Sequence, residues 1–437
     1  MALGKLDLAV QYASLAESYF KTDETPLDVL LRMASTHRQL ADNALAIAKQ
    51  SPEESGDEHS GTPEALIIAN EHYLQAGEYY LPHANSHDSA RLDDSQWSTS
   101  LWLAADSFDR GGRVDQAIRY FLRYLDSGSV DDPRRAETLF RLGQAYQAQL
   151  NHEQAIEFYE QLVADHPRSS FAADAHVPLS RCYLAVERRP EAEQQLREVL
   201  SGARLLTPDA DDYRDALIEL GTLHYQSKEY PQAIERFTEA MERYPDDSRR
   251  LEIVYRLADS YRSSAMSLGE RLNGPPALPP SEQGRINALR TEQLQRALDL
   301  FAQMCEQFTV ESSQPASLAA SAALEQDMLR RAHLYRSDCA FHLGYLEQAI
   351  ELYDRSARLY STHAASMYAL VQIVNCYNQL KDTERAAAAH RRALVRLKQL
   401  PDSAFDAPES LMDRAAWERW LESSPVGTSL SSAAKTE

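Results

Sequence analysis

The sequence predicts an all-α protein built as a stack of helix hairpins, and three observations carry that expectation. Two segments 78 residues apart align without a gap: Leu139 to Pro167 reads LFRLGQAYQAQLNHEQAIEFYEQLVADHP, and Leu217 to Pro245 reads LIELGTLHYQSKEYPQAIERFTEAMERYP. A small residue returns at Ala117, Ala155, Ala192, Ala233, Ala297, Ala349 and Ala386, with spacings of 38, 37, 41, 64, 52 and 37, as in an array of two-helix units. Glycine, with 15 positions in 437 residues, is too sparse for a turn-rich β architecture. A chain of this length fits about three domains or one long repetitive array, and the repeats select the array.

Helix geometry justifies each unit. In the first segment Leu139, Leu142 and Tyr146 recur at spacings of three and four along one stripe of a first helix, and Ala155, Tyr159 and Leu162 do the same along a second. Gly143 and Ala155 lack bulk, so the two helices can close on each other. Pro167 cannot continue a helix and stops the second one. On these residues the chain resembles the tetratricopeptide repeat family, whose units are helix-turn-helix pairs of about 34 residues. The resemblance runs from about Ser98 to Leu400 and departs from the pattern at the unit of Ala349, where Arg336 takes a slot usually given to leucine. It implies a right-handed superhelical solenoid whose concave lining comes from the first helix of every unit.

The two long alanine spacings imply insertions, near 264–290 and 309–327. The first carries NGPPALPP (Asn273 to Pro280), without a basic residue, and reads as a rigid tip joining two elongated helices. The second reads as a flexible connection into a helix. Residues 98–400 thus form the array, preceded by N-terminal helices over 1–97. Within these, Gly4 to Phe20 resembles the second half of a unit, with Gly4 at the turn and Ala9 in the alanine slot, which leads us to expect a first-helix partner upstream. Long helices are expected near Pro26 to Lys49 and Pro63 to Leu81, separated by a polar acidic loop at 50–64. Residues 401–422 supply a capping helix with Leu411, Ala415 and Trp417 to Leu421 on one side, because a solenoid must cover its last apolar face. A disordered tail is expected over 423–437.

Composition narrows the function. Apolar residues at 43% and charged residues at 25% suit a soluble globular chain, and no apolar run is long enough to span a membrane. A net charge of −21 repels phosphate backbones and anionic lipid, which excludes nucleic acid as a partner and argues against membrane insertion. The chain reads as soluble and cytoplasmic, with a periplasmic or cell-envelope place left open through an upstream signal or anchor.

No catalytic motif is present: no HExxH, glycine-rich phosphate loop, GxSxG elbow, CxxC or EF-hand loop occurs. No enzyme activity, cofactor or metal is therefore expected. His72, His83 and His87 read as exposed side chains at a helix end rather than as metal ligands. The paired carboxylates Glu53-Glu54, Asp131-Asp132 and Asp246-Asp247 read as solvated loop charge, and Cys182, Cys339 and Cys376, which share a register, as reduced core residues.

What remains is binding. The lining slots that the resemblance implies hold Phe140, Gln144 and Gln147, then Val177, Arg181 and Leu184, then Ile218, Thr222 and Tyr225, then Tyr255, Asp259 and Arg262. The expected partner-binding residues are Phe140, Gln144, Gln147, Arg181, Thr222, Tyr225, Tyr255, Asp259 and Arg262. This mixed strip suits a peptide or helix of a protein partner. It lacks the lysine and asparagine lining with which chaperone-binding relatives grip a terminal carboxylate. Two functions stay open: a non-catalytic interaction scaffold, and a cell-envelope assembly accessory like the bacterial proteins with similarly lengthened repeats. Tyr225 and Tyr255 also fit a second role, packing against the next repeat, because lining and core slots adjoin.

Overall fold

The computed structural model describes residues 8, 11, 15, 26–49, 62–85, 94–126, 132–202, 207–275, 277–311, 319–406 and 412–423, and among them every regular element is a helix. The chain forms two compact units, Met1–Leu206 and Thr207–Glu437. The division falls inside the 98–400 span that the sequence suggests as one array, and each unit is taken by itself below.

Unit 1 begins with a long hairpin, α1 (Leu27–Lys49) and α2 (Thr62–Asn85). Then come α3 (Asp94–Arg110) with α4 (Val114–Asp126), and α5 (Arg134–Ala148) with α6 (His152–Asp165). Its last unit has a first helix in two pieces, α7 (Ser170–Asp174) and α8 (His176–Ala185), packed on α9 (Arg189–Leu200). The break has a local cause. Pro178 lacks the N–H that would bond to the Asp174 carbonyl in a continuous helix, and its ring crowds that carbonyl.

Unit 2 pairs α10 (Asp211–Gln226) with α11 (Tyr230–Arg243), α12 (Arg250–Asn273) with α13 (Pro280–Glu311), α14 (Ala319–His342) with α15 (Leu346–Leu359), and α16 (Ala365–Gln379) with α17 (Thr383–Gln399). A 3-10 turn at Asp402–Phe405 leads to α18 (Arg414–Ser423). The proline-bearing tip joins the two elongated helices α12 and α13, as its composition suggests. The cap buries Trp417 and Leu421 against the core of this unit. It differs from expectation in one respect, since Ala415 faces solvent; Leu411 lies outside the described residues. Most of Gly4–Phe20, the loop residues 50–61, the connection 312–318 and the tail beyond Ser423 also lie outside them. Thr62 to Glu64, read as loop, already belong to α2.

The recurring alanines explain why these hairpins close. All seven, on α4, α6, α9, α11, α13, α15 and α17, have no exposed surface at all. Opposite them, the glycines of the first helices make room for rings. A Cβ on Gly143 would penetrate the Tyr159 ring, and one on Gly221 would sit 2.9 Å from the Phe237 ring. The backbone turns repeat as well. Gly112, Leu150, Glu187, Lys228, Gly344 and Lys381, each between the two helices of a hairpin, adopt left-handed φ values of 58° to 82°. After each, an N–H reaches back five residues to the ending helix, as from Asn151 to the Tyr146 carbonyl at 2.9 Å and from Glu229 to His224 at 2.8 Å, which closes a Schellman cap.

Candidate partner-binding face

The first helices are tied to one another by polar bonds that follow the repeat period. In unit 1, Trp102 Nε1 donates to Thr138 Oγ1 at 3.1 Å and Arg134 donates to Thr99 Oγ1 at 3.0 Å. In unit 2, Arg249 donates to Asp215 at 2.8 Å, Arg256 to Thr222, and Tyr225 to Asp259 at 2.6 Å. Partners in each case are 34 to 36 residues apart, so equivalent slots on successive first helices bond to each other.

The candidate residues fall in lining slots of each unit taken by itself, four in unit 1 and five in unit 2, and burial separates them. On α5, Phe140 is half-buried, with its ring 5.7 Å from Phe171 and 6.0 Å from Tyr159. One turn on, Gln144 is exposed. Gln147 is half-buried and accepts a bond from the Tyr159 hydroxyl at 3.2 Å. Arg181 on α8 is exposed, and its charge is felt by the Tyr159 hydroxyl. The neighbouring slot Val177, expected on the lining, is instead core at 1% exposure, as is Ile218 in unit 2 at 5%. Both face the adjoining helix, because an apolar side chain at the edge of the stripe gains more by burial than by lining a wet face.

The unit 2 residues interlock. Asp259 is buried and accepts from Tyr225 on one side and from Arg262 Nε at 2.8 Å on the other. The Arg262 guanidinium lies 3.9 Å from the centre of the Tyr335 ring on α14. Burial opposes the Arg262 charge, but Asp259 and the neighbouring acidic groups outweigh it and the guanidinium stays charged. Burial, reinforced by Asp259, pushes the Tyr225 hydroxyl upward, so it remains a donor. Tyr255 is buried edge-on to Phe301 at 6.3 Å. Thr222 is half-buried and occupied by Arg256. None of the five is an exposed side chain; Tyr255 and Asp259 are turned to their protein neighbours.

The interlock continues into residues that the sequence reading did not single out. Asp338 on α14 accepts from Tyr353 on α15 and from Tyr368 on α16 at 2.9 Å, and burial raises its carboxyl against those hydroxyls.

Two further readings change. His83 is buried at 4% exposure, because α2 runs through Pro82 to Asn85, and His72 meets His37 with their Nδ1 atoms 3.0 Å apart; His87 lies outside the described residues. Asp247 is not solvated loop charge: Arg214 and Arg249 each approach it at 3.1 Å, and the Arg249 bond holds its carboxyl below the usual range. All four cysteines are buried free thiols, with burial pushing Cys182 and Cys305 to about 11 and Cys376 to about 12. Among the described residues no three His, Cys, Asp or Glu side chains converge as metal ligands, and no helix is long and apolar enough to cross a membrane.

Helical hairpins in register, with polar first-helix faces, define a repeat scaffold of the protein-interaction class. Family models for the tetratricopeptide repeat match residues 137–169, 171–246 and 315–364, and the chain is a tetratricopeptide repeat protein. No curated protein matches the sequence. Among solved structures, MamA is similar at 20% identity over 51% of this chain and 97% of its own, with a TM-score of 0.36. The C-terminal part of a tetratricopeptide repeat protein from Cytophaga hutchinsonii is similar at 15% identity over 70% of this chain and 96% of its own, TM-score 0.45. A tetratricopeptide repeat protein from Parabacteroides merdae is similar at 13% identity over 74% and 97%, TM-score 0.36.

Proposed function

We propose that the chain is a non-catalytic scaffold that holds a peptide or helix of a protein partner against its first helices. The observation that carries this is the exposure of Gln144 and Arg181 on successive first helices, with the half-buried Phe140 one turn from Gln144. An amide, a guanidinium and an aromatic edge suit a peptide, which needs backbone hydrogen bonds and an apolar anchor together; arginine and aromatic residues also dominate binding energy at interfaces. Gln147 adds to this set. In unit 2, taken by itself, Thr222, Tyr225 and Arg262 offer their partly exposed edges, and Tyr255 and Asp259 act through the residues they hold. The net charge of −21 favours a protein partner over nucleic acid.

The test is capture of the partner from lysate of the native cell by immobilised chain, followed by titration of the purified partner. The double variant Gln144→Ala/Arg181→Ala should weaken binding at least tenfold while the melting temperature holds. Undiminished binding by a folded double variant would remove the site from this face.

A further inference from the structure

The second helices of the last two hairpins of unit 2, with the first helix α16 between them, line a cleft of about 690 Å³ that contains none of the candidate lining residues. Its rim is basic: Arg355 and Arg358 project from α15, and Arg385 and Arg392 from α17. Its floor is apolar, formed by Ile350, Ile373 and Tyr377 together with Ala388 and Ala389. Those two alanines lie between the arginines of α17 and open the cleft, since larger side chains there would fill it.

Internal pairing leaves this charge unbalanced. The single Asp354 carboxylate serves both Arg358 and Arg392, and Arg385 pairs at 3.5 Å with Asp382, the residue that caps its own helix. Arg355 forms no hydrogen bond or ion pair among the described residues. Four guanidinium groups thus face three carboxylates, Glu351, Asp354 and Asp382, in a chain whose net charge is −21. The Arg358 and Arg385 side chains are each 71% exposed.

The repeat register shows how local this is. Counted from the recurring alanines Ala155 and Ala192, the positions of Arg355, Arg358, Arg385 and Arg392 are held on α6 and α9 by Gln161, Ala164, Glu191 and Glu198. Glu157 and Glu160 match Glu351 and Asp354. The positions that hold four arginines on α15 and α17 are therefore neutral or acidic on α6 and α9.

We infer that the cleft between α15 and α17 binds an acidic peptide segment of a protein partner, with carboxylates on the arginine rim and one apolar side chain on the alanine-lined floor. Guanidinium groups take carboxylates in paired, planar hydrogen bonds, and the floor gives an apolar anchor a place out of water. A long polyanion such as nucleic acid would extend beyond the cleft along a chain whose net charge is −21, whereas a short peptide stays within it. The arginine rim lies on second helices, with only Ile373 and Tyr377 of the floor from α16, and the site stands whether or not the proposed partner-binding residues bind.

The experiment is selection of a displayed library of random 12-residue peptides on the intact chain, with the enriched peptides then measured by fluorescence anisotropy. Enrichment of acidic sequences around an apolar residue is expected. Their affinity should fall at least tenfold for Arg385→Glu/Arg392→Glu, on adding 0.5 M salt (about a 4 Å screening length), and for Ala388→Trp, which blocks the floor while keeping every arginine. Circular dichroism melting verifies that each variant is folded; should the charge reversal unfold α17, the Ala388→Trp variant alone decides. Failure to enrich acidic peptides, full retention of binding in a folded Ala388→Trp variant, or equal displacement by a single-stranded 12-nucleotide DNA would overturn the proposal.

Discussion

In unit 1, Gln144 and Arg181 stand exposed on their first helices, while in unit 2 Tyr225, Asp259 and Arg262 close on one another and on Tyr335. The repeat geometry is shared: alanine in the second helix, glycine against a ring, a left-handed turn residue. What differs is the chemistry placed in the lining slots. An exposed amide and an exposed arginine offer a face to a partner, whereas a phenol and an acid at the repeat period, with a base beside the acid, bond to each other first. One slot in one fold can thus be either an interface or an internal tie.

The largest effect that tests this contrast is on stability. Asp259→Ala leaves the Arg262 guanidinium, with 19% of its side chain exposed, without its carboxylate, and removal of one partner of such a pair costs about 3–5 kcal/mol. Gln144→Ala should stay within about 0.5 kcal/mol. Similar losses in denaturant melts of the two variants would erase the distinction.

The hairpin packing should by contrast behave alike in both units. Gly143→Ala and Gly221→Ala each drive a Cβ into a ring, Tyr159 in one case and Phe237 in the other, and each should destabilise by about 1–3 kcal/mol. Gly284→Ala, where a Cβ meets nothing within 4 Å, is the control and should gain up to about 1 kcal/mol. Thermal melts separate the three.

Acid should weaken both units. Burial lowers His37 in unit 1 to about 4, assisted by His72, and lowers His333 in unit 2 to about 4, assisted by Arg355 and Arg336, from an ordinary 6.5. The unfolded chain therefore binds these protons first, so the stability they confer is complete above pH 6.5 and declines as the pH falls toward 4. The loss is on the order of 3 kcal/mol for each histidine. Melting temperatures across pH 4 to 7.5 should show it, and His333→Gln should flatten part of the slope. A melting temperature independent of pH over that range would contradict the burial of both rings.

The smallest expected effect concerns the turns. Leu150 and Lys228 sit at φ values of 60° and 61°, a conformation that disfavours a side chain by roughly 1–2 kcal/mol. Leu150→Gly and Lys228→Gly should therefore each stabilise by up to about 1 kcal/mol, net of the greater freedom of glycine in the unfolded chain.

These turns mark where the sequence stops being readable. The array was legible because a buried alanine tolerates no larger neighbour, so the period survives in plain letters. The left-handed residues were not, since leucine, glutamate and lysine replace the glycine that would have signalled them. The lining was legible as a face, but its burial was not: Val177 and Gln144 differ in exposure because of what the adjacent helix presents, which no single helix records. Pro178 carried the break between α7 and α8 openly, whereas Asp338 gave no sign of its two tyrosines, which come from two other helices.

The most direct measurement places a photoreactive benzoylphenylalanine at Gln144, at Tyr225 and at Glu157, the last an exposed position on a second helix, and compares cross-linking to the captured partner after irradiation. The account predicts strong, competable adducts from Gln144, few from Tyr225 and none above background from Glu157. Adducts from Tyr225 or Glu157 that match or exceed those from Gln144 would contradict it.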